Sequence, residues 1–212
     1  MFYMADAAVL KAKVEELAER KWDDKGLETR MTKLMKDGIP KKKLDPNYMK
    51  AHKKEILDHV ERLAEEYNYF LKNCAQGTAL ALFEEFGIGS MEIIKALTPF
   101  PGVGGTGDMC GGITGSLMAF GLFFGVDDRL NVRHTENVIK LSQKFMAKFE
   151  GKLGHMYCAD IIENVILGYA INPGESDQAM VRFGHDKGFE KCGLPPGTGV
   201  RLAAEFMIDS ME

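Results

Sequence analysis

Four cysteines carry the chemistry open to this chain: Cys74, Cys110, Cys158 and Cys192. A thiolate is a soft ligand for iron–sulfur clusters and zinc, and it is also the nucleophile of thiol–disulfide exchange. In chain order the four lie 36, 48 and 34 residues apart, and no two form a Cys-x-x-Cys pair. A local zinc knuckle and a ferredoxin-type loop are thereby excluded, which leaves a site assembled from four separate elements. Unpaired cysteines also serve as small buried hydrophobes, so the thiols alone leave a metal centre, a thiol–disulfide protein and plain core packing open.

The residues around them add detail. Gly102-Val103-Gly104-Gly105-Thr106-Gly107 runs up to Cys110, and Gly111 follows it. With no Lys-Ser or Lys-Thr after it and no strand before it, this run is neither a P-loop nor a Rossmann turn. Gly104, Gly105, Gly107 and Gly111 instead read as backbone that can wrap a cofactor, since glycine admits close approach. Three polar residues are candidates for catalysis. His155, three before Cys158, could ligate or donate a proton, with Tyr157 beside it; Asp108 could accept a proton near Cys110 or cap the glycine-rich helix. His52, His59, His134 and His185 read as solvated, and the thirteen methionines as core filling.

Asn73-Cys74-Ala75-Gln76, the glycine run, Cys110-Gly111-Gly112-Ile113-Thr114-Gly115 and the apolar Ser116-Leu117-Met118-Ala119-Phe120-Gly121-Leu122 fall in one recognisable order. From about Asn73 to the C-terminus the chain resembles the redox-active protein family defined by four cysteines and a C-G-A-x-x-G motif. Gly112 stands where that family has alanine, and Cys192 runs into Gly193-Leu194-Pro195-Pro196-Gly197 instead of directly into a terminal helix. A similar module in split-Soret cytochromes accompanies an iron–sulfur centre and c-type haems; without Cys-x-x-Cys-His the haem part does not transfer. The resemblance implies a redox protein that binds an iron–sulfur cluster, 2Fe-2S or 4Fe-4S, through Cys74, Cys110, Cys158 and Cys192. Such a protein serves electron transfer to a partner or reductive chemistry on a small substrate. Zinc, or thiols without metal, are the alternatives.

Composition bounds partners and compartment. The 212 residues are 45% hydrophobic and 27% charged, enough for a real core without disulfides. A formal net charge of −4 disfavours nucleic acid, whose binders need a clustered basic face. Met1-Phe2-Tyr3-Met4 has no basic n-region, so the reading is a cytoplasmic protein, where thiols stay reduced. Met109 to Val126 carries no charge over 18 residues, but five of them are glycine, and a buried helix is a better reading than a membrane span.

The elements that must position the thiols read as helical throughout, so the fold class is all-α: a helical bundle around a four-cysteine site, with a charged helical extension over 1–72 and the cysteine domain over 73–212. Leu10, Val14 and Leu17 form one stripe, and Leu27, Met31, Leu34 and Met35 another. Asp45-Pro46 reads as the start of a helix striped by Ile56, Val60 and Leu63. Helices are predicted over Cys74 to Phe86, from Ser90 to Leu97, along Val138 to Phe149 with a stop near Gly151, and from Cys158 through Tyr169. A further helix, the last of the chain, would bury Leu202, Phe206 and Met207. Pro195-Pro196-Gly197 reads as a break that leaves Cys192 less constrained than the others. The apolar glycine-rich helix and the amphipathic extension offer more faces than one small core needs, which points to a homodimer.

Overall fold

Aspartate and asparagine side chains mark where the helices begin, because each accepts a backbone N–H left unpaired in a first turn. A computed structural model describes residues 6–128 and 130–212, so the reading of Met1 to Met4 lies outside it. Asp6 caps α1 (Ala7–Glu19), Asp23 caps α2 (Asp24–Asp37), and Asp45 caps α3 (Pro46–Ala51) with Pro46 in its first turn. Then come α4 (Lys53–Leu71), α5 (Cys74–Phe86), α6 (Met91–Ala96), the single irregular turn α7 (Gly102–Gly105) and α8 (Gly111–Phe124). The long α9 (Val132–Leu153) leads to α10 (Cys158–Ile161), which widens into a π turn over Ile162–Leu167. Finally α11 (Asp177–His185), α12 (Gly188–Lys191) and α13 (Leu194–Asp209) complete the chain. Helix accounts for 73% of it with no strand among the described residues, so the fold is all-α.

α4, α5, α8 and α13 pack against one another and form the centre. Val60, Leu63 and Tyr67 of α4, Leu80 and Phe83 of α5, Ile113 and Phe120 of α8, and Ala203 and Met207 of α13 are all 2% exposed or less. Burying each large apolar side chain there contributes about 1.5–3 kcal/mol. α9 closes one side through Phe145, whose ring centroid lies 5.2 Å from that of Phe120. The helices approach until backbones touch: a Cβ at Gly115 of α8 would lie 2.5 Å from the Ala75 carbonyl oxygen of α5. Glycine at that crossing is therefore a steric requirement.

α1 and α2 join this same core. Leu17 and Met31 are buried with it, and Glu65 of α4, 1% exposed, receives Lys13 at 2.8 Å and Arg20 at 2.6 Å. Arg30 of α2 pairs at 2.7 Å with Glu84 of α5, to which the Tyr67 hydroxyl also donates. Between α1 and α2, Trp22 stacks flat on Tyr69 with centroids 4.4 Å apart, and the Arg20 guanidinium lies over the Trp22 ring at 4.9 Å from its centroid.

Several expected boundaries move. The helix expected to run on from Asp45-Pro46 breaks at His52, whose ring Nδ1 bonds the Tyr48 carbonyl, and restarts as α4. Met35 faces outward at 65% exposure, while the rest of its stripe is buried. Ser90 precedes α6 without a side-chain capping bond. α9 passes Gly151 and stops at Gly154, which is left-handed, and the helix from Cys158 ends at left-handed Gly168, before Tyr169. Pro195, Pro196 and Gly197 do not break the chain after Cys192. They form the first turn of α13 and are buried, since proline there lacks only an N–H that has no intrahelical acceptor. The uncharged run from Met109 to Val126 yields the 14-residue α8, and no helix among the described residues is long and apolar enough to cross a membrane.

Candidate functional site: a thiol-lined cavity

Each cysteine is placed by backbone bonds at the end of an element. Cys74 is the first residue of α5, whose cap Asn73 accepts the Gln76 N–H at 3.0 Å and donates to the Thr98 carbonyl at 3.1 Å. Gln76 in turn donates to Ile94 O at 2.8 Å and Thr98 Oγ1 at 3.0 Å, so the C-terminal end of α6 is tied to this helix start. Cys110 occupies the N-cap of α8 and donates its N–H to Met156 O at 3.0 Å. Cys158 opens α10 and donates its N–H to Asp108 O at 2.7 Å, while Ala159 N–H reaches Gly107 O at 2.9 Å. With the antiparallel bridge between Met109 and Tyr157, these bonds clamp the Cys110 loop to the Cys158 loop. Cys192 ends α12 with its N–H on Gly188 O at 2.8 Å, directly before α13.

All four thiols are free, and Cys110 is buried. Cys74, Cys158 and Cys192 line one cavity of about 150 Å³. One wall is the glycine run, where Gly102, Val103, Gly104 and Gly105 take φ of 52°, 46°, 76° and 73° in succession. This left-handed turn is held by Thr106 Oγ1, which donates to Gly102 O and Val103 O at 3.0 Å each. Glycine accepts such φ values freely; Val103, β-branched, does not. Asn172 Nδ2 pins Gly105 O at 2.9 Å and brings Gly174 onto the same loop. Phe183 and Phe189 face it from α11 and α12, and Lys72 stands at the edge.

Burial is the main influence on the thiols. It raises Cys74 to about 11, despite backbone N–H groups of Gly111, Cys74 and Ala75 directed at its sulfur, and Cys158 to about 12, where Cys74 repels further charge. Cys110 and Cys192 are pushed well above the ordinary thiol range by burial and by repulsion from the other cysteines. The mutual repulsion records that the four belong to one cluster of groups. Among the described residues no group of three or more His, Cys, Asp or Glu side chains is arranged to hold a single metal ion.

The residues expected from sequence separate into two sets. Gly105 and Gly107 line the cavity, and Gly111 lies beneath Cys74, where an added Cβ would come within 2.2 Å of Sγ. Gly104 stands beside Gly105 in the turn but outside the lining. Asp108 is exposed and spends its carboxylate on the Met109 N–H at 2.6 Å, while its carbonyl holds Cys158; it does not cap α8, because Cys110 occupies that position. Tyr157 is 47% exposed and contributes its backbone to the bridge, and His155 is half-buried; neither lines the cavity. Asn68, Lys72, Phe183 and Phe189 do line it, and no motif announced them. The only local signal was Asn172-Pro173-Gly174, which reads as a helix stop and also serves as cavity wall.

The fold and site define an all-α protein in which three free thiols line one cavity and a fourth, Cys110, is buried next to the Gly111 that lies against Cys74. A family model described as a putative redox-active protein, C_GCAxxG_C_C, matches residues 72–205, well over half of the chain. The chain belongs to that family. No curated protein and no solved structure matches it.

Proposed function

We propose that this is a redox protein whose four cysteines hold an iron–sulfur cluster at the thiol-lined cavity. The observation that carries the reading is that three free thiols, from three separate elements, line one cavity walled by a glycine turn, with the fourth, Cys110, buried within electrostatic reach of them. The thiols come from four separate elements, an arrangement that suits a cofactor bonding each thiol at a different atom. Cys74, Cys158 and Cys192 would hold it from the cavity side and Cys110 from behind, with the N–H groups of Gly111, Ala75 and Gly112 directed at the sulfurs. When bound, such a cluster supplies a one-electron store. The chain keeps water away with Phe183, Phe189 and Ile162 and supports the ligands with the clamped loops. Electron transfer to a partner is the role this serves most directly; reduction of a small molecule is the second, since the cavity has an open side.

The test is anaerobic purification under iron-replete conditions, followed by iron and acid-labile sulfide analysis and an electron paramagnetic resonance spectrum of the reduced protein. Brown protein containing both elements is expected. Colourless protein with stoichiometric zinc and no iron would overturn the proposal.

A further inference from the structure

Among the described residues, Lys72 is the only positively charged side chain that lines the thiol cavity. It sits two residues before Cys74, between the end of α4 and the cap of α5, in the left-handed conformation with φ 52°. That position is the C-terminal stop of a helix, where glycine or asparagine fits at least cost. A lysine there is not explained by the backbone, so its side chain is the part to account for. Its Nζ rests 3.9 Å from the centroid of Tyr69 and 5.3 Å from that of Phe189. Tyr69 is held in turn by Trp22, and Phe189 by its carbonyl's bond with Asn68 Nδ2 at 2.9 Å. Two ring faces, each fixed by its own partner, thus keep the ammonium at the cavity edge. Among the described residues no carboxylate lies within ion-pairing distance of it; Glu190 and Asp24 act on it only from farther away. Lys191 acts on Cys192 but lies outside the cavity.

We propose that Lys72 is the counter-ion of the redox centre, a positioning residue whose fixed positive charge favours the reduced state. This rests on the proposed cluster. Reduction adds one electron from an external donor such as dithionite, so the centre gains one negative charge and no bond in the protein is made or broken. A cation held at the edge of an apolar, low-dielectric cavity stabilises the more negative state. The opposite sign holds for Glu190, whose Oε2 is buried without a hydrogen-bond partner among the described residues and whose charge acts on Lys72 from beyond ion-pairing distance.

The experiment is a spectroscopic redox titration of the anaerobic full-length protein and of Lys72→Met, Lys72→Arg and Glu190→Gln. A negative shift of midpoint potential is expected in Lys72→Met, little shift in Lys72→Arg, and a positive shift in Glu190→Gln, with iron content unchanged. If Lys72→Met fails to retain the centre while Lys72→Arg retains it, the same charge requirement is read in assembly. Equal potentials in a fully loaded Lys72→Met would overturn the role of Lys72 and leave the cluster standing. Loss of the centre from Lys72→Arg as well would overturn it too, by making shape the requirement. Wild-type protein without iron and sulfide would overturn both proposals before any variant is made.

Discussion

A methyl group added at Gly112 would lie 2.7 Å from the carbonyl oxygen of Pro195. The contact is reciprocal, since a Cβ at Gly199 would come within 2.4 Å of the Gly112 carbonyl oxygen. Gly112 is the position at which the resembled motif carries alanine, and the segment from Gly193 to Gly197 after Cys192 is the start of α13 itself, not a departure from a terminal helix. The proline turn that opens α13 lies on the start of α8, and only glycine at position 112 leaves room for it.

That relationship gives a prediction with a built-in control. Gly112→Ala should destabilise the protein by about 1–3 kcal/mol, the usual cost of forcing extra volume into a packed contact. Gly121→Ala in the same helix meets nothing within 4 Å, and should stabilise by about 0.5–1 kcal/mol through helix propensity. Urea midpoints of the two variants should move in opposite directions.

Gly111→Ala tests the site more directly. Its new Cβ would overlap Cys74 Sγ at 2.2 Å, so the thiol must rotate away or α8 must lift from α5. On the proposed cluster reading, the expected outcome is loss of most of the iron with the helical circular dichroism signal kept. Full iron content would mean that Cys74 can be displaced without consequence.

The thiols set a pH dependence for the cofactor-free protein. Folding raises Cys74 to about 11 and Cys158 to about 12, chiefly by burial, whereas an unfolded thiol titrates near about 8.5. Above that value the unfolded chain holds fewer protons than the native one, so stability falls as pH rises. The thiol contribution is fully present below the unfolded pKa and is lost through pH 11–12. Urea midpoints measured from pH 8 upward should decline, with a shallower slope in Cys74→Ser. The same burial predicts slow alkylation by iodoacetamide at neutral pH.

Val103 holds φ 46° and ψ 85° at the tip of the left-handed turn and is 43% exposed. A β-branched residue in that conformation costs on the order of 1–3 kcal/mol. Val103→Gly removes that cost but adds freedom to the unfolded chain, worth about 0.4–1 kcal/mol against it. A modest rise in thermal midpoint is expected, and a fall would show that the valine side chain makes a contact worth more than the strain.

Local signals located much of this fold. Asn73 before Cys74 and Gly87 after Phe86 bound α5 as read, because a side-chain cap and a left-handed glycine act within one turn. The stripes of α1, α4 and α9 likewise face the core. Pro195-Pro196-Gly197 opens α13 instead of breaking the chain because proline's effect depends on its place within a helix, and that place is fixed by burial against α8, which no local residue pattern encodes. The widening of α10 into a π turn left no residue-level mark. At the site, the glycines and cysteines announce themselves by type, whereas Phe183 and Phe189 come from chain positions that nothing but the folded geometry brings to Cys74, and Lys72, two residues before it, belongs to no motif.

Cys74 and Cys110 stand at the starts of α5 and α8, helices of 13 and 14 residues. A helix start carries roughly half a positive charge, built from peptide N–H groups and not from a side chain. That part of the electrostatic field has no titration point and no codon: neither a pH change nor a side-chain replacement removes it while the helices stand. Lys72 can be exchanged and the thiols protonated, but the preference for anions at this end of the bundle persists as a property of the chain trace itself.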